Sequence, residues 1–471
     1  MPRRHMMVHP ITIGVSSLRM KPFYTVASVE LGNTTTKCIL MTTNLQTAQI
    51  FQIDKEVRHT RDVRAPKEGE EIFGLTLTGV KLARESVSEL VADVLTTVLE
   101  RSRVDLDRDL HFVVRSTGVT AGFASPEEVG VMVKALADGC LLAGVPPRKM
   151  TASISPDNLS PDLSDFSWLK KVYFDGAVTS SLPPADAEVV ANEMEGELVM
   201  AGLKGAAKNT DVDFRNPVMT LDFGTTLAGR VTDDGHPYAK TVASFVGLAG
   251  AIPDALARGS GKVDRTTGSA LDLPRSSRPF RGTIDEDWIQ TAQSYIRVER
   301  VPAGVSRFGT VPVNVKAADD AGVVLIGVDV GVDGSDLPAL ERLGEEISKG
   351  SSTDELHDAI DLIQFGIVQR ILSKVESEGF ILGNTSLGLT GRAITTGEKP
   401  NLITEGLLLA DGSRWDVSHN LLFVEDGLAM GAAVAARCMN SMGTRHNPMG
   451  GRKGDKCIMG ARMRIQRIER D

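Results

Sequence analysis

"VASVELGNTTTKCILMTT", from Val26 to Thr43, is the stretch on which the reading of this chain turns. An apolar, strand-like run reaches an acid, Glu30. Gly32 and Asn33 follow, then Thr34, Thr35, Thr36 and Lys37, and apolar residues resume. Two readings stand. One is a hairpin with a wet turn. The other is a loop that wraps a phosphate: glycine lets the backbone come close to a ligand, and hydroxyl and backbone N–H donors together make an anion nest. An acid at a strand end can reach a metal, and magnesium takes one or two carboxylates together with water and phosphate oxygens.

The pattern returns. "MTLDFGTTLAGRV", Met219 to Val231, again runs from a strand through an acid, Asp222, to Gly224, Thr225, Thr226 and a second strand. The copies lie some 190 residues apart, too far for a solenoid repeat and suited to two similar domains in tandem. Three strands are predicted in the first block, Val26–Leu31, Lys37–Thr43 and Ala48–Asp54, and the third strand of the second block is expected at Tyr238–Ser244. One acid-x-Gly loop is a weak signal. Two, each opening a three-stranded block, would let a nucleotide be gripped from both sides of a cleft.

The rest of the chain agrees with a large α/β protein. Its 471 residues are 42% hydrophobic and 24% charged, enough for two or three domains with their own cores. A net charge of −9 argues against nucleic acid as the main partner. The four cysteines, Cys38, Cys140, Cys438 and Cys457, share no C-x-x-C spacing, which points to a reducing cytoplasm. No apolar run approaches the ~20 residues of a membrane span. Residues 1–23 are expected to be an unstructured leader. Helical spacing of apolar residues predicts helices over Val80–Glu100, Asp186–Gly202, Asp336–Ser348 and Thr353–Ser377. A Gly-, Arg-, Ser- and Pro-rich stretch, 254–316, reads as an insertion of strands and loops. "GLAMGAAVAARC", Gly427–Cys438, reads as a helix of small residues, and 443–471 as a basic arm.

In order of features the sequence resembles the superfamily of acetate and sugar kinases, the heat-shock 70 ATPase and actin. Its first phosphate loop looks like Glu30–Lys37, and its second like Asp222–Thr226. The first connecting helix looks like Asp186–Gly202, the glycine turn facing adenosine like Gly388-Leu389-Thr390-Gly391-Arg392, and the second connecting helix like Gly427–Cys438. The overall sequence, including "HNPMGGRKGDKCIMGARMRIQRIE", resembles the methanogenesis marker protein 14 family of archaea, near the reactivating and activating ATPases. The resemblance implies two tandem actin-like (ribonuclease H-like) α/β domains, 24–215 and 216–442, around a nucleotide cleft.

It also implies ATP and magnesium as cofactors. Asp222 and Glu30 would then be the catalytic and metal-binding carboxylates. Gly32, Asn33, Thr34, Thr35, Lys37, Gly224, Thr225, Thr226, Gly388, Gly391 and Arg392 would be the nucleotide-binding set. Alternatives stay open at single residues: Lys37 as an edge-strand lysine, Arg392 as a helix cap, Glu30 as a plain strand end, Asp222 as a turn former. Three departures stand out: Glu30 where the fold usually has Asp, Asn33 where it has Thr or Gly, and one glycine, Gly391, where two adjacent ones are common. The implied function is an ATP-binding, ATP-hydrolysing protein whose domain closure acts on a protein client, with a homodimer as a further expectation. A small-molecule kinase and a non-catalytic nucleotide-binding scaffold are the alternatives.

Overall fold

The computed structural model describes residues 5–20, 23–45, 47, 49–117, 126–150, 177–179, 193–208, 210–215, 217–235, 239–274, 280 and 284–442. The expected basic arm 443–471, the start of the first connecting helix (186–192) and the loop 118–123 lie outside these residues.

In chain order the strands are β1 (His5–Val8), β2 (Phe23–Leu31), β3 (Thr35–Asn44), β4 (Ile50–His59), β5 (Ile72–Leu75), β6 (Lys81–Ala83), β7 (Phe112–Thr117), β8 (Ala177–Thr179) and β9 (Val218–Phe223). They continue with β10 (Leu227–Thr232), β11 (Thr241–Gly247), β12 (Ile296–Arg300), β13 (Arg307–Phe308), β14 (Val311–Pro312), β15 (Val324–Val330), β16 (Ser386–Thr390) and β17 (Leu421–Val424). Among the described residues the first sheet has the order β4-β3-β2-β7-β8 and the second β1-β17-β16-β9-β10-β11-β15-β12. The same motif sits in both. Three antiparallel strands come first in sequence, β2-β3-β4 and β9-β10-β11. Two more then join the first of them in parallel, β7-β8 and β16-β17. This third-second-first-fourth-fifth order, found twice, defines two actin-like (ribonuclease H-like) α/β units, the fold that the resemblance implied.

Strand alternation assigns the faces. In β2, Ala27, Val29 and Leu31 point outward and pack on the helices Arg84–Ser102 and Pro126–Leu142. Val26 points inward, with Ile39, Val114, Val218 and Val424, to a core built around two helices, Glu193–Ala207 and Gly427–Met442. In β9, Met219, Leu221 and Phe223 face the helices Ala251–Gly259, Leu337–Gly350 and Thr353–Ser377. The two inner helices therefore lie between the sheets and connect the halves. Their small residues bring backbone onto backbone: a Cβ on Gly202 would stand 1.9 Å from Gly427 O, and one on Gly431 1.8 Å from Leu198 O. No helix among the described residues is long and apolar enough to cross a membrane.

Two expectations change. Residues 5–8 of the presumed leader form β1, paired in parallel with β17, and Val15–Leu18 is a helical turn whose Leu18 is buried. An edge strand of four residues needs a partner to exist, and that partner is more than 400 residues away in sequence, beyond the reach of local pattern. The insertion 254–316 also carries helix: Asp254 sits inside Ala251–Gly259, and Glu286–Tyr295 follows.

Candidate functional site

The two loops that drew attention in the sequence meet. Gly32-Asn33-Thr34 joins β2 to β3, and Gly224-Thr225-Thr226 joins β9 to β10. Thr34 Oγ1 and Thr225 Oγ1 share a hydrogen bond of 2.9 Å, and Thr34 Oγ1 donates to Asp254 Oδ2 at 3.2 Å. A hydroxyl carries one proton, so with that proton on Asp254 it is Thr225 that donates to Thr34. Each loop is held from behind. Thr60 donates its hydroxyl to Gly32 O (2.7 Å) and its N–H to Thr34 O (3.0 Å), while Asn33 Oδ1 accepts from Leu77 N at 2.9 Å. In the second loop, Gly224 O accepts from Gly250 N at 2.7 Å, and Thr225 O from Ala249 N and Ala251 N.

Behind the loops lies a charge cluster in which Asp222 and Glu195 are buried and Glu30 and Lys37 half-buried. Glu30 and Lys37 are cross-strand partners, with Lys37 Nζ 2.9 Å from Glu30 Oε2. Burial alone would lower the Lys37 ammonium, but the charges of Glu30, Asp426 and Asp222 outweigh it, and its pKa lies above the ordinary value. Asp222 has Ala228 opposite it on β10. Burial pushes its carboxyl up to about 7; Lys37 works against the rise, and the charges of Glu30 and Asp426 add to it. Gly391 lies directly on Asp222. At φ 92° it has the left-handed conformation that favours glycine, and a Cβ there would stand 2.5 Å from Asp222 Oδ1.

Three residues that sequence reasoning did not single out as site groups belong to this place. Glu195, on the first turn of the helix Glu193–Ala207, is buried, and among the described residues its Oε2 has no hydrogen-bond partner. Burial, then the charges of Asp222 and Glu30, hold its carboxyl well above the usual range. Asp254 receives Thr34 and, at 2.8 Å, Ala270 N; burial pushes it up to about 6 against those bonds and Arg258. Asp426 has turn geometry (φ 57°), and also binds Lys55 Nζ at 2.7 Å beside Glu425 at 3.0 Å. Glu195 stands among other acids in the sequence, so spacing gave no signal for it.

Of the expected nucleotide-binding set, Gly32, Thr34, Gly224, Thr225 and Gly391 come together at the facing ends of the two sheets. Thr35 and Lys37 continue from the first loop into β3, and Thr226 ends the second, bridged to Leu248. Arg392 opens a short helix just after Gly391 and is half-buried. Gly388 is not brought to the loops. It sits within β16 against Phe214 and Leu203, where a Cβ would be 2.5 Å from the Phe214 ring, so its role there is close packing. Among the described residues no group of three or more His, Cys, Asp or Glu is placed to hold a metal ion by itself.

Ion pairs also connect the two halves. Arg61, just after β4, makes a two-pronged pair with Asp272, Nη1–Oδ2 2.5 Å and Nη2–Oδ1 2.8 Å, and His59 Nε2 lies 3.3 Å from Asp272 Oδ1. These bonds join the first half to the second.

Two actin-like units facing each other through matched acid-glycine hairpins place the chain in the class of two-jawed actin-fold proteins. The chain belongs to the family described as "Uncharacterized protein conserved in archaea (DUF2114)", which matches residues 23–466. It is 52% identical over 457 residues to an uncharacterized protein of Methanocaldococcus jannaschii, covering 97% of this chain and 94% of the relative. A second relative, from Methanothermobacter thermautotrophicus, is 51% identical over 459 residues, covering 97% and 85%. Solved structures with some likeness include a reductive activator for a corrinoid, iron-sulfur protein (12% identity, TM-score 0.34, 88% of this chain and 60% of that one). Another is the ethanolamine utilization protein EutJ from Carboxydothermus hydrogenoformans (12%, TM-score 0.35, 91% and 92%). The fold assignment rests on strand order and pairing, not on these likenesses.

Proposed function

We propose that the protein binds ATP with magnesium between two jaws, residues 24–215 and 216–442, and hydrolyses it to drive opening and closing against a protein client. The observation that carries this reading is the meeting of Thr34 and Thr225, 191 residues apart in sequence, at equivalent turns of two equivalent units. Hydroxyls that satisfy one another across a cleft are groups a phosphate can take over from both sides. The donor set suits magnesium. Asp222 and its acidic neighbours stand in excess over nearby cations, and magnesium takes one or two carboxylates together with phosphate oxygens and water. When bound, magnesium would neutralise phosphate charge, with Asp222 as its protein partner. Closure of the jaws would be the switch a client reads. The family's archaeal membership and the resemblance to the methanogenesis marker protein 14 group suggest a cytoplasmic client among the enzymes of methane formation, activated or matured by this cycle.

A specific observation favours a second reading, nucleotide binding without turnover: Glu30 is neutralised by Lys37 within its own hairpin. Calorimetric titration of ATP with and without magnesium, followed by measurement of phosphate release, separates the two. Magnesium-dependent binding with release supports the ATPase. Binding without release supports the scaffold, and no binding at all ends both.

A further inference from the structure

The N-terminal segment touches both sheets in succession. Residues 5–8 pair in parallel with β17 of the second sheet, from His5 opposite Leu421 to Val8 opposite Val424. Three residues later the chain pairs with the outer strand of the first sheet: Gln52 N on β4 donates to Ile11 O and Ile13 N donates to Gln52 O, both at 2.9 Å. Beyond this point Ile13, Val15 and Leu18 pack into the outer core of the first half, and Arg19 pairs with buried Asp109 at 3.0 Å. Between the two anchorages lie only His9 and Pro10. His9 Nδ1 is 3.1 Å from Glu425 Oε2, and Glu425 N donates to Val8 O at 3.2 Å.

We propose that residues 5–13 are a taut strap that limits how far the two jaws can part, making a third covalent crossing beside the two connecting helices. Length carries the argument. The link from Val8 to Ile11 can span at most about 10–11 Å when fully extended, and Pro10 stiffens it further. β17 and β4 therefore cannot separate appreciably without breaking one of the anchorages. The anchorages differ in strength: a four-residue parallel pairing on β17, against a single two-bond bridge on β4 backed by the packing of Leu18. A motion that exceeds the slack peels Ile11–Ile13 from Gln52 first. The strap crosses beside the turn of Glu425 and Asp426, which Lys55 of β4 also grips, so it bears on the same cleft.

The test gives the strap slack. Six Gly/Ser-rich residues carrying a protease site are inserted between His9 and Pro10, adding about 20 Å of reach. Spin labels are placed at Glu68→Cys and Lys262→Cys, exposed positions in the first and the second half, with Cys438 and Cys457 replaced by serine. Distances between the labels are measured by pulsed electron resonance in the uncut chain, and again after cutting the folded protein, so that a failure to fold cannot be mistaken for a result. A longer and broader distribution in the inserted chain, broader again on cutting, is the expected outcome. Distributions that superimpose on those of the parent chain in both states overturn the strap. The proposal rests on the cleft reading only for its second arm: release of a fluorescent ATP analogue should quicken roughly fivefold or more when the strap is cut. Failure of the analogue to bind would strike the nucleotide proposal and leave the distance measurement to decide the strap.

Discussion

The two hairpins share topology and the acid-x-Gly order, yet their electrostatics differ at one cross-strand position. Opposite Glu30 stands Lys37; opposite Asp222 stands Ala228. The first acid is matched within its own hairpin. The second is left to the field of its surroundings, and its carboxyl titrates near 7. A repeated backbone thus does not repeat its chemistry. One jaw carries a closed ion pair, the other an acid with no cation opposite it on its partner strand, and under the proposed function that asymmetry would give Asp222 rather than Glu30 the larger part in a metal contact.

The largest test of this contrast removes the lysine. Lys37→Met leaves the part-buried Glu30 without its partner and strips Asp222 and Glu195 of the charge that tempers them. Removing one member of a fully buried pair costs about 3–5 kcal/mol; with side chains 16% and 20% exposed, this pair should cost about 2–4 kcal/mol. Urea unfolding near pH 8 should show a loss of that size, smaller near pH 5 where Asp222 is already protonated. An unchanged midpoint at both pH values would mean the cluster is open to water.

Next comes Asp222→Asn. In the folded protein this carboxyl keeps its proton up to about 7, against 3.8 in the unfolded chain. Between those values the folded state holds a proton that the unfolded state has lost, so stability falls as pH rises through the window. Asp254, raised to about 6, acts in the same direction. The parent protein should therefore melt higher near pH 5 than near pH 8. The asparagine variant should lose much of that slope and gain roughly 1–3 kcal/mol at the alkaline end, while magnesium-dependent ATP affinity drops about tenfold or more. A variant as pH-sensitive as the parent would move the titrating group elsewhere.

Thr34→Val keeps the shape of the first loop and removes the hydroxyl that reaches Thr225 and Asp254. The expected loss is about 1 kcal/mol in thermal or urea unfolding. A gain in stability would show that the contact across the loops is strained rather than supportive. The smallest effect belongs to Glu30→Asp. With Glu30 engaged by Lys37, shortening it should alter ATP turnover by less than about twofold, a few tenths of a kcal/mol. A tenfold change in either direction would make the first hairpin an equal partner in the chemistry and dissolve the asymmetry.

What could be read in advance follows the range of the interactions. Both hairpins and the long helix Thr353–Ser377 are written in local order, as alternation, turn chemistry and 3.6-residue spacing, and they stand where the sequence puts them. Lys37 was visible as a candidate, but not its pairing with Glu30, because only the register of β2 against β3 brings the two together. Asp254 lay in a stretch whose glycines and prolines suggest loops; its packing against Gly224 and Thr225 makes it a helix that faces the cleft. Glu195, Asp426 and β1 depend on contacts between distant parts of the chain, and no window of sequence contains them.

The core around the two connecting helices has a consequence for the order in which the protein can be made. Val26, Ile39 and Val114 of the first sheet share it with Val424, Ala432 and Ala436. A ribosome adding about 5–20 residues per second completes those last contributors on the order of tens of seconds after the first have emerged. Through that interval the inner face of the first sheet has its apolar side chains laid out and one of its two covering helices still unmade. The inner face of the first half is therefore completed only when the helix Gly427–Met442 has been made.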